Sequence, residues 1–207
     1  MCFLLAVATP ASAPTAGPTT RPEDVLAIVL GRPITRGEVE RGPEKYARDH
    51  ERRLLGQMLS ILLDEYRRVH GIVATDAEIA DFAEAMEKIV RENAQRRGEP
   101  PTTQPFKQFP EVCKQFVLTW KVSKSLYERY GGTVIFNQGN PTEPIGAYRA
   151  LLVEAKKRGH LRVLDSKYVE LLGRSFERAL PDDQRGWVIP PEKVDFTKPW
   201  WRQEPRK

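Results

Sequence analysis

The chain has 207 residues, 40% hydrophobic and 29% charged, with a net charge of +5 and a pI near 9.2. These are the length and proportions of a globular protein with one substantial core or two small ones, a single domain being the default expectation, and with only Cys2 and Cys113 they exclude a disulfide scaffold. The basic excess is interspersed with acids along helix faces, the pattern of a solvated surface, so no nucleic-acid partner is expected; no segment approaches the length of a bilayer span.

Residues 1–13 have a short apolar core followed by Ala11-Ser12-Ala13, a small-residue pattern like that before a secretory cleavage site. The usual positive leader is missing, and Pro14 is a poor residue to follow such a site. A signal-peptide remnant, which places the protein in the periplasm or otherwise exports it, and a disordered cytoplasmic tail both remain open. Residues 8–22, rich in Pro, Ala, Thr and Gly, read as a linker. The expected organisation is a linker or signal remnant over 1–21, a single helical domain over 22–180, and an extended tail over 181–207.

Val25-Leu26-Ala27-Ile28-Val29 is a short apolar run that reads as a buried strand ending in a turn at Gly31-Arg32-Pro33, with Ile34 returning. Thr35 then stands three residues before Glu38, and Thr75 three before Glu78, each pair just ahead of an apolar residue. A threonine at a helix start accepts from the third amide while the glutamate reaches back, so the spacing predicts two helix starts. The first helix is expected from about Thr35 to His70, with an irregular beginning at Gly37, Gly42 and Pro43 and a firm stripe of Leu54, Leu55, Met58, Leu59, Leu62, Tyr66 and Val69. The second runs from Thr75 to about Arg96, with Ile79, Phe82, Ala83, Met86, Ile89 and Val90 on one face.

Prolines 100, 101 and 105 break the pattern. A third helix is predicted from Phe106 or Phe109 to Tyr130, its core side carrying Phe109, Val112, Cys113, Phe116, Val117, Trp120, Ser123, Tyr127 and Tyr130. Thr133–Phe136 reads as a strand able to pair with Val25–Val29. Asn137–Pro144 reads as a turn launching a fourth helix that carries Ile145, Tyr148, Leu151, Leu152 and Ala155 and closes at Gly159. Leu161–Leu164 is a candidate third strand, and a last helix is expected to carry Tyr168, Val169, Leu172, Phe176 and Leu180. The tail holds Trp187, Trp200 and Trp201, which either pack on the body or form a contact surface. The fold class is therefore mainly α, with about five helices and a small two- or three-stranded sheet element.

Chemical signatures are sparse. His50, His70 and His160 lack metal-ligand spacing, and no nucleophile elbow, phosphate loop or dinucleotide fingerprint occurs. No catalytic, metal or cofactor residues are assigned, and the chain is read as not an enzyme.

Val29-Leu30-Gly31-Arg32-Pro33-Ile34-Thr35-Arg36-Gly37-Glu38-Val39 resembles the opening of the SurA-type periplasmic chaperone domain. Gly71-Ile72-Val73-Ala74-Thr75-Asp76-Ala77-Glu78-Ile79 is similar to that family's second signature, a helix ending at Gly and the next starting at Ser/Thr-Asp/Glu-x-Glu. The resemblance covers roughly residues 24–96, and the parvulin prolyl-isomerase pattern is not seen after Arg97. It implies a non-catalytic, chaperone-like helical module of the bacterial cell envelope that binds unfolded or extended polypeptide. Met58, Phe82, Met86, Phe116 and Trp120 are the candidate peptide-binding residues of a groove between the helices, although core positions explain the same spacing. The alternative is an envelope scaffold that binds one specific folded partner through its Trp-rich tail.

Overall fold

The apolar stripe of the first long helix becomes the spine of the main core. In the computed structural model, which describes residues 24–40, 47–98, 100, 106–137, 140–169 and 188–203, helix α2 (Ala47–Val69) carries His50, Leu54, Met58, Leu62 and Tyr66 four residues apart, all buried. Four-residue spacing keeps side chains on one face of a helix. The stripe stops at Tyr66: Val69 is exposed, and the His70 ring folds back to 4.1 Å from the Tyr66 ring before Gly71 takes φ +61. The expected irregular start is a separate short helix, α1 (Arg36–Val39), with residues 41–46, which include Gly42 and Pro43, lying outside the described residues.

Two small antiparallel sheets flank the helices. In the first, β1 (Val25–Val29) is central, with β2 (Arg32–Thr35) on one side and β5 (Leu161–Val163) on the other. In the second, β3 (Val134–Asn137) lies between β4 (Asn140–Glu143) and β6 (Val188–Ile189). The expected pairing of Thr133–Phe136 with Val25–Val29 is thus not made. Both edges of β1 are already filled, by β2 through a two-residue turn and by β5 directly after a helix. The segment expected as a plain turn before the fourth helix supplies a partner to β3 instead, because Asn140–Glu143 pairs locally.

The β1–β2 turn is closed by Leu30 at φ +51 and Gly31 at φ +79. Two consecutive left-handed residues are what a two-residue hairpin with the native strand twist requires, and leucine is a strained choice for the first.

Helix α3 (Asp76–Arg97) packs against α4 (Pro110–Tyr130), which a 3-10 turn over Phe106–Gln108 precedes. Helix α4 is central because it buries residues in two directions. Cys113, Val117 and Trp120 join residues of α3, whereas Val122 and Leu126 join the main core with α2 and with α5 (Ile145–Lys157). That main core also takes in Leu26, Val29, Ile34, Leu161 and Tyr168. Phe109 and Val112, expected on the core side of α4, are exposed, because the first turns of that helix bury Cys113 and Val117 against α3 and Phe106 instead.

Arg36 ties the N-terminal elements to the chain beyond β5. It reaches Asp165 at 2.6 Å and Glu40 at 2.7 Å, and Glu40 also accepts the Tyr168 hydroxyl at 2.8 Å. Of the last predicted helix, only residues 166–169 are described; Leu172, Phe176 and Leu180, like residues 1–21, Gly139 and Trp187, lie outside the described residues.

The start of α5 is pressed against Gly132 and Thr133, the residues that lead into β3. A Cβ built on Gly146 would lie 2.4 Å from the Thr133 amide nitrogen and 2.9 Å from Gly132 Cα, while the Gly146 N–H donates to Thr133 O at 2.9 Å. Backbone cannot yield as a side chain can, so Gly146→Ala is expected to cost about 3 kcal/mol in chemical denaturation. Leu30→Asn, at an exposed left-handed position that asparagine tolerates, is expected to stabilise by about 1 kcal/mol in the same measurement.

Candidate functional site

The second capping threonine fixes where α3 begins, and with it the groove that α3 forms with α4. Glu78 Oε2 accepts the Thr75 N–H at 2.8 Å, and the Glu78 N–H donates to Thr75 Oγ1 at 3.3 Å. The same carboxylate accepts Lys121 Nζ of α4 at 2.8 Å, and Lys121 also donates to Val73 O at 2.6 Å. A cap that satisfies the start of one helix therefore clamps the next helix to it. Burial pushes the Glu78 carboxyl up, but Lys121 and the Thr75 donors outweigh this and hold it below the usual glutamate range.

Beyond the clamp, the two helices meet through aromatic rings. Phe82 stacks on Phe116 with centroids 5.2 Å apart and planes 14° from parallel. Trp201, from a 3-10 turn over Trp200–Arg202, enters edge-on, 5.0 Å from Phe82 and 5.6 Å from Trp120. Trp200 meets Phe82 at 5.8 Å, again edge to face. These offset and perpendicular arrangements are the favourable geometries for ring quadrupoles. The Lys124 ammonium lies 5.6 Å from the centre of the Trp120 ring.

The polar edge of the groove is Asp81. Its Oδ2 accepts the Trp201 indole N–H at 2.8 Å, and its Oδ1 accepts Arg202 Nε at 2.9 Å and the Arg202 Nη2 group. The Arg202 guanidinium, aided by the indole N–H, holds this carboxyl below the usual aspartate range against the opposing effect of burial.

Four of the five residues singled out from sequence converge here. Phe82 and Trp120 are buried, and Met86 and Phe116 are partly buried against them. Met58 does not join them; it is fully buried in the α2–α5 core, because its stripe on α2 faces the strands and α5. The groove is therefore an α3–α4 feature. Sequence reasoning passed over Asp81, which lies on the charged side of α3 by periodicity, and left Trp200 and Trp201 with two readings. Both tryptophans engage this groove, and Trp201 is 6% exposed.

A cleft of about 390 Å³ flanks the groove, lined by Ile79, Ala80, Ala83, Phe106, Pro110 and Cys113 among others. Cys113 is buried, and burial pushes its thiol up, which keeps it protonated and unreactive. A second cleft of about 260 Å³ opens between α2 and α4 above Tyr148. The Tyr148 hydroxyl lies 2.9 Å from Ser123 Oγ, which also accepts from Asn140 Nδ2 at 3.2 Å, and burial raises the phenol to about 12. A phenol at that value stays neutral at physiological pH and serves as a buried hydrogen-bonding group.

Among the described residues, no group of three or more His, Cys, Asp or Glu side chains is placed to hold a metal ion, and no helix is long and apolar enough to cross a membrane. The class defined by this architecture is a mainly α protein with two small antiparallel sheets and an aromatic groove between α3 and α4. No family model, curated protein or solved structure matches the chain.

Truncating the ring at the centre of the groove, Trp201→Ala, is expected to cost about 3 kcal/mol in denaturant unfolding, in line with large aromatic deletions. The pH dependence follows from Asp81. A carboxyl whose folded pKa is depressed contributes stability fully above the unfolded value of about 3.9, and that contribution is lost as pH falls through the lower folded value. The tryptophan emission of docked Trp201 is accordingly expected to be flat from pH 7 to about 5 and to change below about 4, with the acid change reduced in Asp81→Asn.

Proposed function

We propose that this protein is a binding module rather than an enzyme, a chaperone-like protein that holds exposed aromatic and apolar segments of unfolded polypeptide in the α3–α4 groove. The observation that carries the reading is the occupant of that groove. Residues 200–202, well over one hundred positions from Asp81 in sequence, sit in it with one indole buried, one half-buried and a side-chain cation at the rim. A site that accommodates one polypeptide segment by ring contacts and a single carboxylate has the chemistry to accommodate others, since apolar contact is non-directional and tolerates varied side chains. Met86 and Ile79 at its edge add surface that adapts to different shapes.

The resemblance of residues 24–96 to SurA-type chaperone domains supports the same reading, and the apolar N-terminal residues support placing it in the bacterial envelope. The engagement of Trp200 and Trp201 with the chain's own helices weighs against the scaffold alternative, in which those rings face a folded partner.

The test is suppression of aggregation. The full chain, added in stoichiometric amount to an unrelated protein diluted out of denaturant, is expected to suppress light scattering at both low and moderate salt, because apolar holding is little screened. Phe116→Ala, which removes half of the central ring stack, is expected to raise the amount required several-fold. Absence of suppression at either salt by the folded wild-type protein overturns the reading.

A further inference from the structure

The segment lying in the groove specifies the chemistry that the groove selects. Trp201 and Arg202 are consecutive, and one carboxylate reads both: Oδ2 takes the indole N–H and Oδ1 takes the guanidinium. The Trp201 indole N–H has its acceptor in Asp81, which is acceptor-only when ionised, so the same group that satisfies the ring repels an acidic residue at the next position. Glu84, one turn along α3, adds negative charge toward Arg202. On α4, Lys124 lies over the Trp120 ring and Lys121 is paired with Glu78.

The occupant belongs to a loop with hydrogen bonds of its own. Asp195 Oδ1 accepts both the Thr197 N–H at 2.7 Å and the Thr197 hydroxyl at 2.6 Å, and Gln203 Nε2 donates to Asp195 O at 2.8 Å and Lys198 O at 2.9 Å. Phe196 stacks on Tyr127 of α4, with centroids 4.8 Å apart, and β6 joins β3. The loop is thus tethered beside the groove whether or not its tip is docked. The ion pair at the tip lies at the surface, with the Arg202 and Asp81 side chains 45% and 36% exposed, while Trp201 is buried. An exposed ion pair of this kind shifts an equilibrium by roughly fivefold at most.

We propose that the α3–α4 groove selects polypeptide segments in which an aromatic pair is followed by a basic residue, with Asp81 as the specificity-determining group, and that Trp200–Arg202 is its intramolecular competitor. The proposal rests on the polypeptide-binding reading above. Tethering gives the loop a high effective concentration, so a ligand in trans binds with an affinity reduced by the fraction of chains whose groove is vacant.

The experiment measures fluorescence anisotropy of a labelled peptide with the sequence of residues 196–203, Phe-Thr-Lys-Pro-Trp-Trp-Arg-Gln, against the full chain and its variants, with helicity checked by circular dichroism. Arg202→Ala, a surface change that leaves the core intact, is expected to bind the peptide about fivefold more tightly than wild type, and Trp201→Ala more tightly still. Asp81→Lys is expected to invert the preference, favouring a peptide carrying Arg202→Glu over the native one by about tenfold. A merely structural role for Asp81 would weaken both peptides equally.

Equal peptide affinity for wild type, Arg202→Ala and Trp201→Ala overturns the competitor, and the absence of an inversion in Asp81→Lys overturns the selector. If folded Arg202→Ala binds neither this peptide nor an unrelated unfolded chain, the polypeptide-binding reading falls as well. If it binds unrelated chains without any preference for a basic residue, that reading stands and the specificity proposal alone is lost.

Discussion

Neither α3 nor α4 can hide its aromatic surface alone, and the way they hide it together constrains much of the molecule. Besides Phe82, the buried residues of α3 are alanines, Ala83, Ala85 and Ala94, which let α4 come close but fill little volume. The facing side of α4 supplies Val117 and Trp120, with Phe116 at the edge. Close approach along the alanines leaves the rings open on one side, and exposed ring surface of that extent is unfavourable by about 25 cal/mol for each Å² of apolar area. Trp201 closes that side from a distant part of the chain.

The Thr75–Glu78–Lys121 clamp makes this arrangement directional. The capping glutamate fixes the first turn of α3, and Lys121 sits on α4 one residue after Trp120. The register at the clamp therefore decides which rings meet further along the pair. At the far end of α4, Leu126 and Val122 turn into the main core with α2 and α5. Helix α4 consequently couples a conventional core, closed by β1 and β5, to a groove closed by a loop. Those two regions differ in what covers them: secondary structure bonded on both sides in one, and a turn held by ring contacts and a surface carboxylate in the other. A site that exchanges its occupant needs the second kind of cover, because a local contact can open without unfolding the body.

The elements that sequence reasoning located are those determined by neighbours in the chain. Thr35 and Thr75 with their glutamates marked helix starts correctly because a capping box is complete within four residues. The end of α2 at Gly71 and the β1–β2 hairpin are equally local. The strand pairing of β3 was not legible, since a four-residue apolar run carries no address, and its partners were decided by which strand edges stayed free. Phe109 and Val112 fit the α4 stripe by period yet stand exposed, because periodicity describes a face without saying how much of it a neighbour covers.

The candidate site divides along the same line. The sequence by itself determined that Phe82, Met86, Phe116 and Trp120 lie on apolar helix faces, since 3.6-residue periodicity requires it, and that a Trp-rich tail follows the last predicted helix. Only the tertiary structure decided that Met58 belongs to another core, that Trp201 is the ring completing the groove, and that Asp81, one charged residue among many on α3, is the one that meets it. The physical reason is that a carboxylate's role is set by what lies within about 3 Å of its oxygens. Here that neighbour is 120 residues away in the chain, and the folded path alone brings it there.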